Sequence, residues 1–270
     1  MIDERTRTPL LYAASIAAGL VAWEIGARNV SRILLAPPSE VLVRLVQGFD
    51  SGVLTRALLA SLAEMSIGLA IAVAIALPLG LLIGRSRIAA EFLEPVIGAI
   101  YAIPPVAFIP IIIVWCGFQD SARITLVVLM SVFEMLFAFS GGARNIPPGL
   151  LDVGRSFGAS KSVLVRKVMI PAMLPFLVMG LRLGVVRAIH GMIVAQLLFA
   201  AAHLGAFMKR AATRFDSAGV LAVIVLLAVL GLVLQEAFKF AEARLFPQRR
   251  SASTRSGQPR PGEALLAFSM

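Results

Sequence analysis

Residues 141–175 read GGARNIPPGLLDVGRSFGASKSVLVRKVMIPAMLP, the longest organised polar stretch in a chain made mostly of long apolar runs. Pro147 and Pro148 end one element, Gly158 breaks the next, and Ser160 is placed to cap a helix that reaches Ile170 before Pro171 stops it. The expected pattern is helix, glycine turn, helix, proline stop. Val163, Leu164, Val165, Val168, Met169 and Ile170 make the second helix mostly apolar, while Lys161, Arg166 and Lys167 suit the level of lipid headgroups. The segment from Gly154 to Ser162 has the look of a phosphate-binding loop. That motif needs glycine directly before its lysine, where Ser160 stands, and a strand ahead of it; no ATP site is expected in this chain.

On either side of the loop lie runs long enough to cross hydrocarbon, which takes about 20 predominantly apolar residues. Residues 124–141 precede it and 176–200 follow; farther out are 92–118, 57–84 and 9–27 on one side and 218–238 on the other. Six spans predict an all-α polytopic membrane protein. Composition agrees: 59% of the 270 residues are hydrophobic and 15% charged, against about a quarter charged in soluble domains. Run 92–118 is interrupted by Ile103-Pro104-Pro105 and by Pro110, and membranes tolerate such prolines where neighbours or water satisfy the freed carbonyls. Run 9–27 follows Arg5 and Arg7, as a secretory signal would, but its length, Glu24 and the lack of a small-x-small cleavage site favour a retained span. The chain therefore divides into a cytoplasmic N-terminus (1–8), a transmembrane domain (9–245, with the polar loop at 142–175) and a disordered cytoplasmic tail (246–270) rich in Pro, Ser, Arg and Gly.

The formal net charge is +10. In a soluble chain that would point to nucleic acid, but here the basic residues fall mainly in the gaps between apolar runs. With the N-terminus inside, the inner segments hold 15 Lys and Arg and the outer segments 8, so the positive-inside rule puts both termini in the cytoplasm. The single cysteine, Cys116, excludes an intrachain disulfide, and the two histidines have no Cys or acidic neighbours at zinc-ligand spacing. No metal, no nucleic-acid partner and no catalytic residue is expected, because no paired carboxylates or nucleophile-base pair occurs at workable spacing. A secondary transporter or channel remains an alternative; such proteins usually have more spans or an internal repeat, and none is evident.

The 141–175 loop resembles the signature of binding-protein-dependent ABC importer permeases: Glu-Ala-Ala, three residues, Gly, nine residues, then aliphatic-x-aliphatic-Pro. Asp152-Val153-Gly154 takes the first place, Gly158 the second, and Val168-Met169-Ile170-Pro171 closes the motif without a gap. Leu35-Ala36-Pro37-Pro38, Glu94-Pro95, Ile103-Pro104-Pro105 and Gly180-Leu181-Arg182-Leu183-Gly184 extend the resemblance over nearly the whole chain, toward permeases for sulfonate, taurine and nitrate. The resemblance implies a type I importer permease fold and a homodimer, with two cytoplasmic ATPase subunits that carry ATP and Mg, and a substrate-binding protein on the outer side. Asp152, Gly154, Phe157, Gly158, Ala159, Ser160 and Pro171 would then form the coupling helix docked on the ATPase. Asp152 suits a helix cap or a basic ATPase residue, and Gly158 a positive φ or a close backbone approach. The departures are Asp for Glu and Val-Gly for Ala-Ala; Gly154 weakens its helix by about 1 kcal/mol relative to Ala. On periodicity alone, an interfacial amphipathic helix between two spans explains the loop equally well.

Ionisable groups at membrane depth are costly, and each marks a candidate pathway residue. Arg182, Arg187, His190 and Gln196 fall in 176–200, and the step from 187 to 190 puts Arg187 and His190 on one face, a positive surface for an anion. Arg182 lies about 10 Å along the helix from Pro175 and is equally suited to snorkel to the headgroups. Glu64 and Glu134 are each placed to neutralise Arg187, to be protonated, or to face a water-filled cavity. Outside, 38–54 predicts a short amphipathic helix and 201–216 a polar loop with Lys209, Arg210 and Arg214; both surfaces would meet the binding protein.

Overall fold

A computed structural model describes residues 4–199 and 202–245, and every regular element among them is helical. The tail expected at 246–270 lies outside the described residues. In chain order the elements are α1 (Glu4–Arg28), α2 (Pro38–Asp50), α3 (Val53–Arg85), α4 (Arg87–Ala102), a 3₁₀ turn (Pro105–Phe108), α5 (Ile109–Cys116), α6 (Asp120–Arg144) and α7 (Pro148–Ser156). After Gly158 follow α8 (Lys161–Val163), a π turn (Leu164–Met169), α9 (Ile170–Ala172), α10 (Leu174–Leu198), α11 (His203–Thr213) and α12 (Ser217–Leu245).

Among the described residues four helices are long and apolar enough to cross a membrane: α3, α6, α10 and Ser217–Phe240 of α12. Arg87–Ala102 and Pro105–Cys116 pass only together, bent by 90°, and make a fifth span if they cross as one. The sequence expectation is six. The difference is α1, a 25-residue helix over the first run, several of whose side chains lie outside the described residues. The bend has a local cause. Ile103 and Pro104 each precede a proline, which pushes both into extended conformation at ψ 126° and 127°, whereas Pro110 sits in the first turn of α5 and is accommodated.

The centre of the fold is α6, packed between α3 and α10. Lipid offers no hydrophobic drive for helix association, so close backbone approach has to supply the packing. On α3, Gly68, Ala72, Ala76, Gly80 and Gly84 recur every fourth residue. A methyl group on Gly80 would stand 2.8 Å from Phe139 Cβ, and one on Gly84 2.5 Å from Ala143 Cβ. From the other side Gly180 and Gly184 of α10 seat Phe139 and Met135, so those two large side chains are buried where the three helices meet.

Two expectations need correction. Residues 201–216, expected as a polar loop, are mostly the helix α11: Leu204 and Ala211 are buried and Phe207 and Met208 pack beside them, an i, i+3, i+4, i+7 stripe, with Lys209 and Arg210 outside. Pro171 also does not stop its helix. The turn before it widens to π geometry, where Pro171 lacks an N–H and its ring crowds the preceding turn, and the helix continues to Ala172. Met173 then bonds back to Met169 O at 3.0 Å and Leu177 to Met173 O at 3.0 Å. Residues 161–198 therefore form a nearly continuous run of helical turns. The amphipathic helix expected at 38–54 is present as α2.

Candidate functional site

The polar loop folds as a tight hairpin of helices at one end of the bundle. Pro148 opens α7, where its missing N–H costs nothing, and Leu151 is buried against the lower core with Met169 and Met173. The turn is made by Gly158 at φ +73°, a left-handed conformation that costs other residues roughly 1–2 kcal/mol. Gly158 N bonds to Arg155 O at 2.8 Å and Ala159 N to Gly154 O at 3.1 Å, and Ser160 Oγ accepts from Val163 N at 3.4 Å, capping the second arm. Gly154 has a reason beyond helix propensity: a methyl group there would stand 2.6 Å from Leu164 Cδ2, so its absence lets the two arms touch. Asp152 is not a cap. It sits inside α7, exposed, paired with Arg155 at 3.1 Å. Phe157, at the turn, is 87% exposed, and Pro171 is exposed on the second arm.

Within the bundle the six polar candidates separate into four places. Glu64 and Gln196 are enclosed in a knot at the ends of α3, α6 and α10 remote from the hairpin. Glu64 Oε1 accepts from Arg123 Nε at 2.9 Å and lies 3.1 Å from His203 Nε2, while Glu64 Oε2 accepts from Gln196 Nε2 at 3.1 Å. Gln196 Oε1 in turn accepts from Ser61 Oγ at 2.9 Å and Gly205 N at 3.3 Å. Arg123 also reaches Asp120 at 2.6 Å. The sequence counts Arg123 with the outer loop charges, but its side chain is only 7% exposed. His203, at φ +48°, holds the first turn of α11 onto this knot.

Of the two acids, Glu134 is the one that meets Arg187, at 2.8 Å from Nε to Oε1. Both lie near the middle of 25-residue helices, α6 and α10. Tyr101 Oη donates to the same Oε1 at 3.2 Å, and its ring is fixed edge-on against Phe137 at 5.2 Å. The three polar groups line a cavity of about 180 Å³ whose far wall is the broken segment Ile103, Pro105 and Phe108. Tyr101 is absent from the sequence candidates; its position two residues before the Ile103-Pro104-Pro105 break is the signal that could have found it. His190 does not share this surface. The one-face expectation fails because 60° of helical rotation carries it past the cavity edge, into a crevice of about 680 Å³ between α10 and α12, beside Gln235 and otherwise apolar walls. Arg182, half-buried nearer the hairpin, lines neither space.

The profile of a family described as "Binding-protein-dependent transport system inner membrane component" matches residues 76–247, from mid-α3 through the hairpin to the end of α12. The chain belongs to this family. Among curated relatives it is similar to a probable ABC transporter permease protein of Brucella melitensis, 31% identical over 235 residues, 87% of this chain and 95% of the relative. It is also 32% identical to the formylaminopyrimidine transport permease protein ThiX of Halalkalibacterium halodurans (86% and 92%) and 27% identical to the taurine transport system permease protein TauC of Escherichia coli (89% and 92%). Among solved structures, the inward-facing MetNI methionine ABC transporter matches with TM-score 0.63 and 22% identity, over 72% of this chain and 96% of that one; this likeness shows a shared fold. The ABC permease is thus a membrane transport component and not an enzyme. Membership implies an ATPase and a binding protein as partners.

Proposed function

We propose that two copies of this permease form the translocation pathway of an ATP-driven importer in the inner membrane, with both termini in the cytoplasm. Two ATPase subunits, which hold ATP and Mg²⁺, bind the hairpin ends, and a binding protein delivers solute at the α2 and α11 side. The solute is small and carries an acidic group, in the class of sulfonates, taurine or nitrate. The ATPase-contacting residues are Asp152, Gly154, Phe157, Gly158, Ala159, Ser160 and Pro171.

The observation that carries this reading is Phe157. A phenyl ring 87% exposed on a rigid polar hairpin is a ready anchor for a hydrophobic groove on a partner. Behind it, the second arm of the hairpin runs almost unbroken into α10, the helix that carries Arg187. A push on Phe157 by closing ATPase subunits would therefore reach the middle of the bundle along this run of helical turns, biasing a two-state scaffold.

Coexpression with the neighbouring ATPase gene and affinity purification tests it. The ATPase copurifies with the wild type, and Phe157→Ala lowers the copurified amount several-fold while the permease still elutes as an intact membrane protein. Gly158→Leu strains the turn and uncouples hydrolysis from uptake. Full uptake by the permease without any ATPase would overturn the reading.

A further inference from the structure

We propose that Arg187 and Glu134 form a solute subsite for a small zwitterion, the guanidinium taking its acidic group and the carboxylate its ammonium group. This rests on the translocation reading above and narrows it.

Arg187 alone at membrane depth would favour an anion. It is not alone: Glu134, 18% exposed, neutralises it at 2.8 Å, so the pair offers a dipole and a bare anion approaching Arg187 is repelled by the carboxylate beside it. The pairing also leaves both groups unfinished. It uses only Nε of the guanidinium, and Tyr101 and Arg187 both donate to Oε1 of Glu134. Among the described residues, neither terminal nitrogen of Arg187 nor Oε2 of Glu134 has a protein partner. The guanidinium fork fits an oxyanion with two parallel bonds, and a carboxylate oxygen held by two donors on its other oxygen is fixed in place to accept from an ammonium.

Three further observations place this pair where a solute would pass. Arg187 is 47% exposed, unlike the enclosed Arg123. The pair lines a cavity, and the cavity wall is the proline-broken segment between α4 and α5; irregular backbone at membrane depth occurs where it is buried in protein or lines such a space. The volume, about 180 Å³, lies below the roughly 300–1,000 Å³ of pockets for drug-sized ligands and suits a small solute. Nitrate and plain alkyl sulfonates lack the second charge that Glu134 would meet; amino sulfonates and short amino acids carry both.

The test uses the permease copurified with its ATPase and reconstituted in lipid nanodiscs, without binding protein. Saturation-transfer NMR measures binding of taurine, β-alanine and glycine against ethanesulfonate, which lacks the ammonium, and ethylammonium, which lacks the acid. At least one zwitterion is expected to bind tenfold or more tightly than both single-charge probes. Glu134→Gln should bring ethanesulfonate to within about twofold of the zwitterion, and Arg187→Gln should abolish binding of both. Equal binding of ethanesulfonate and zwitterion to the wild type, unchanged preference in Glu134→Gln, or no binding of any zwitterion would overturn the proposal. Loss of the ATPase from the wild-type preparation would instead strike the transport reading itself.

Discussion

Arg123–Glu64 and Arg187–Glu134 are the same chemical pair at nearly the same separation, 2.9 and 2.8 Å from Nε to Oε1. Their surroundings differ. The first has side chains 7% and 9% exposed, and Gln196, His203 and Asp120 add further hydrogen bonds to it. The second is 47% and 18% exposed, faces a cavity and leaves donors and an acceptor unfilled. A pair enclosed among several polar partners holds helices together. A pair with vacancies beside a cavity is free to exchange partners with a solute. Charge and distance alone do not distinguish these two surroundings; enclosure does.

The sharpest way to break this contrast is Glu64→Leu. It leaves the buried guanidinium with only Asp120, whose side chain is 77% exposed, and removing one partner of a buried pair costs about 3–5 kcal/mol; the variant is expected to lose most of its folded yield, with a lowered thermal midpoint in detergent. Wild-type stability in that variant would mean that the knot is not structural. Next, Arg187→Ala should leave yield and ATPase copurification intact, since partly exposed pairs contribute about 0–1 kcal/mol, while solute uptake falls by about tenfold. Wild-type uptake would remove Arg187 from the pathway. The double change Glu64→Leu with Arg123→Met should recover much of the stability lost by Glu64→Leu alone, because a buried pair replaced by apolar groups of similar volume is often neutral; no recovery would assign the loss to packing instead. The smallest effect is expected from His203→Asn. It loses the contact to Glu64, worth about 1.5–3 kcal/mol for a charged partner, but asparagine tolerates the left-handed backbone at φ +48° better than most residues, so the thermal midpoint should drop by only a few degrees.

The hairpin was the most legible part of the chain. Its turn and its cap are local features, and the positive φ at Gly158 follows from the residue type and its place between two helical stretches; the expected stop at Pro171 failed because the turn before it widens to π geometry. The break at Ile103-Pro104-Pro105 was legible for the same reason. The small-residue stripe Gly68, Ala72, Ala76, Gly80, Gly84 was present in the sequence as a four-residue spacing and went unread, because an apolar run hides which of its faces is tight. The same spacing logic would have found α11 in 201–216, where four apolar positions at helical period lie among the charges that suggested a loop.

The sequence by itself determined the membrane class, the order of the long helices and the glycine turn of the hairpin, since these depend on hydrophobic run length, proline and glycine chemistry and residues within a few positions of one another. Which carboxylate meets which arginine was decided only by tertiary structure. Glu64 lies 59 residues from Arg123, and Glu134 lies 53 residues from Arg187; whether such side chains meet depends on helix rotation and crossing, which the close contacts of α3, α6 and α10 set. A rotation of one residue, 100° at 3.6 residues per turn, would change which side chains are enclosed and which face the cavity.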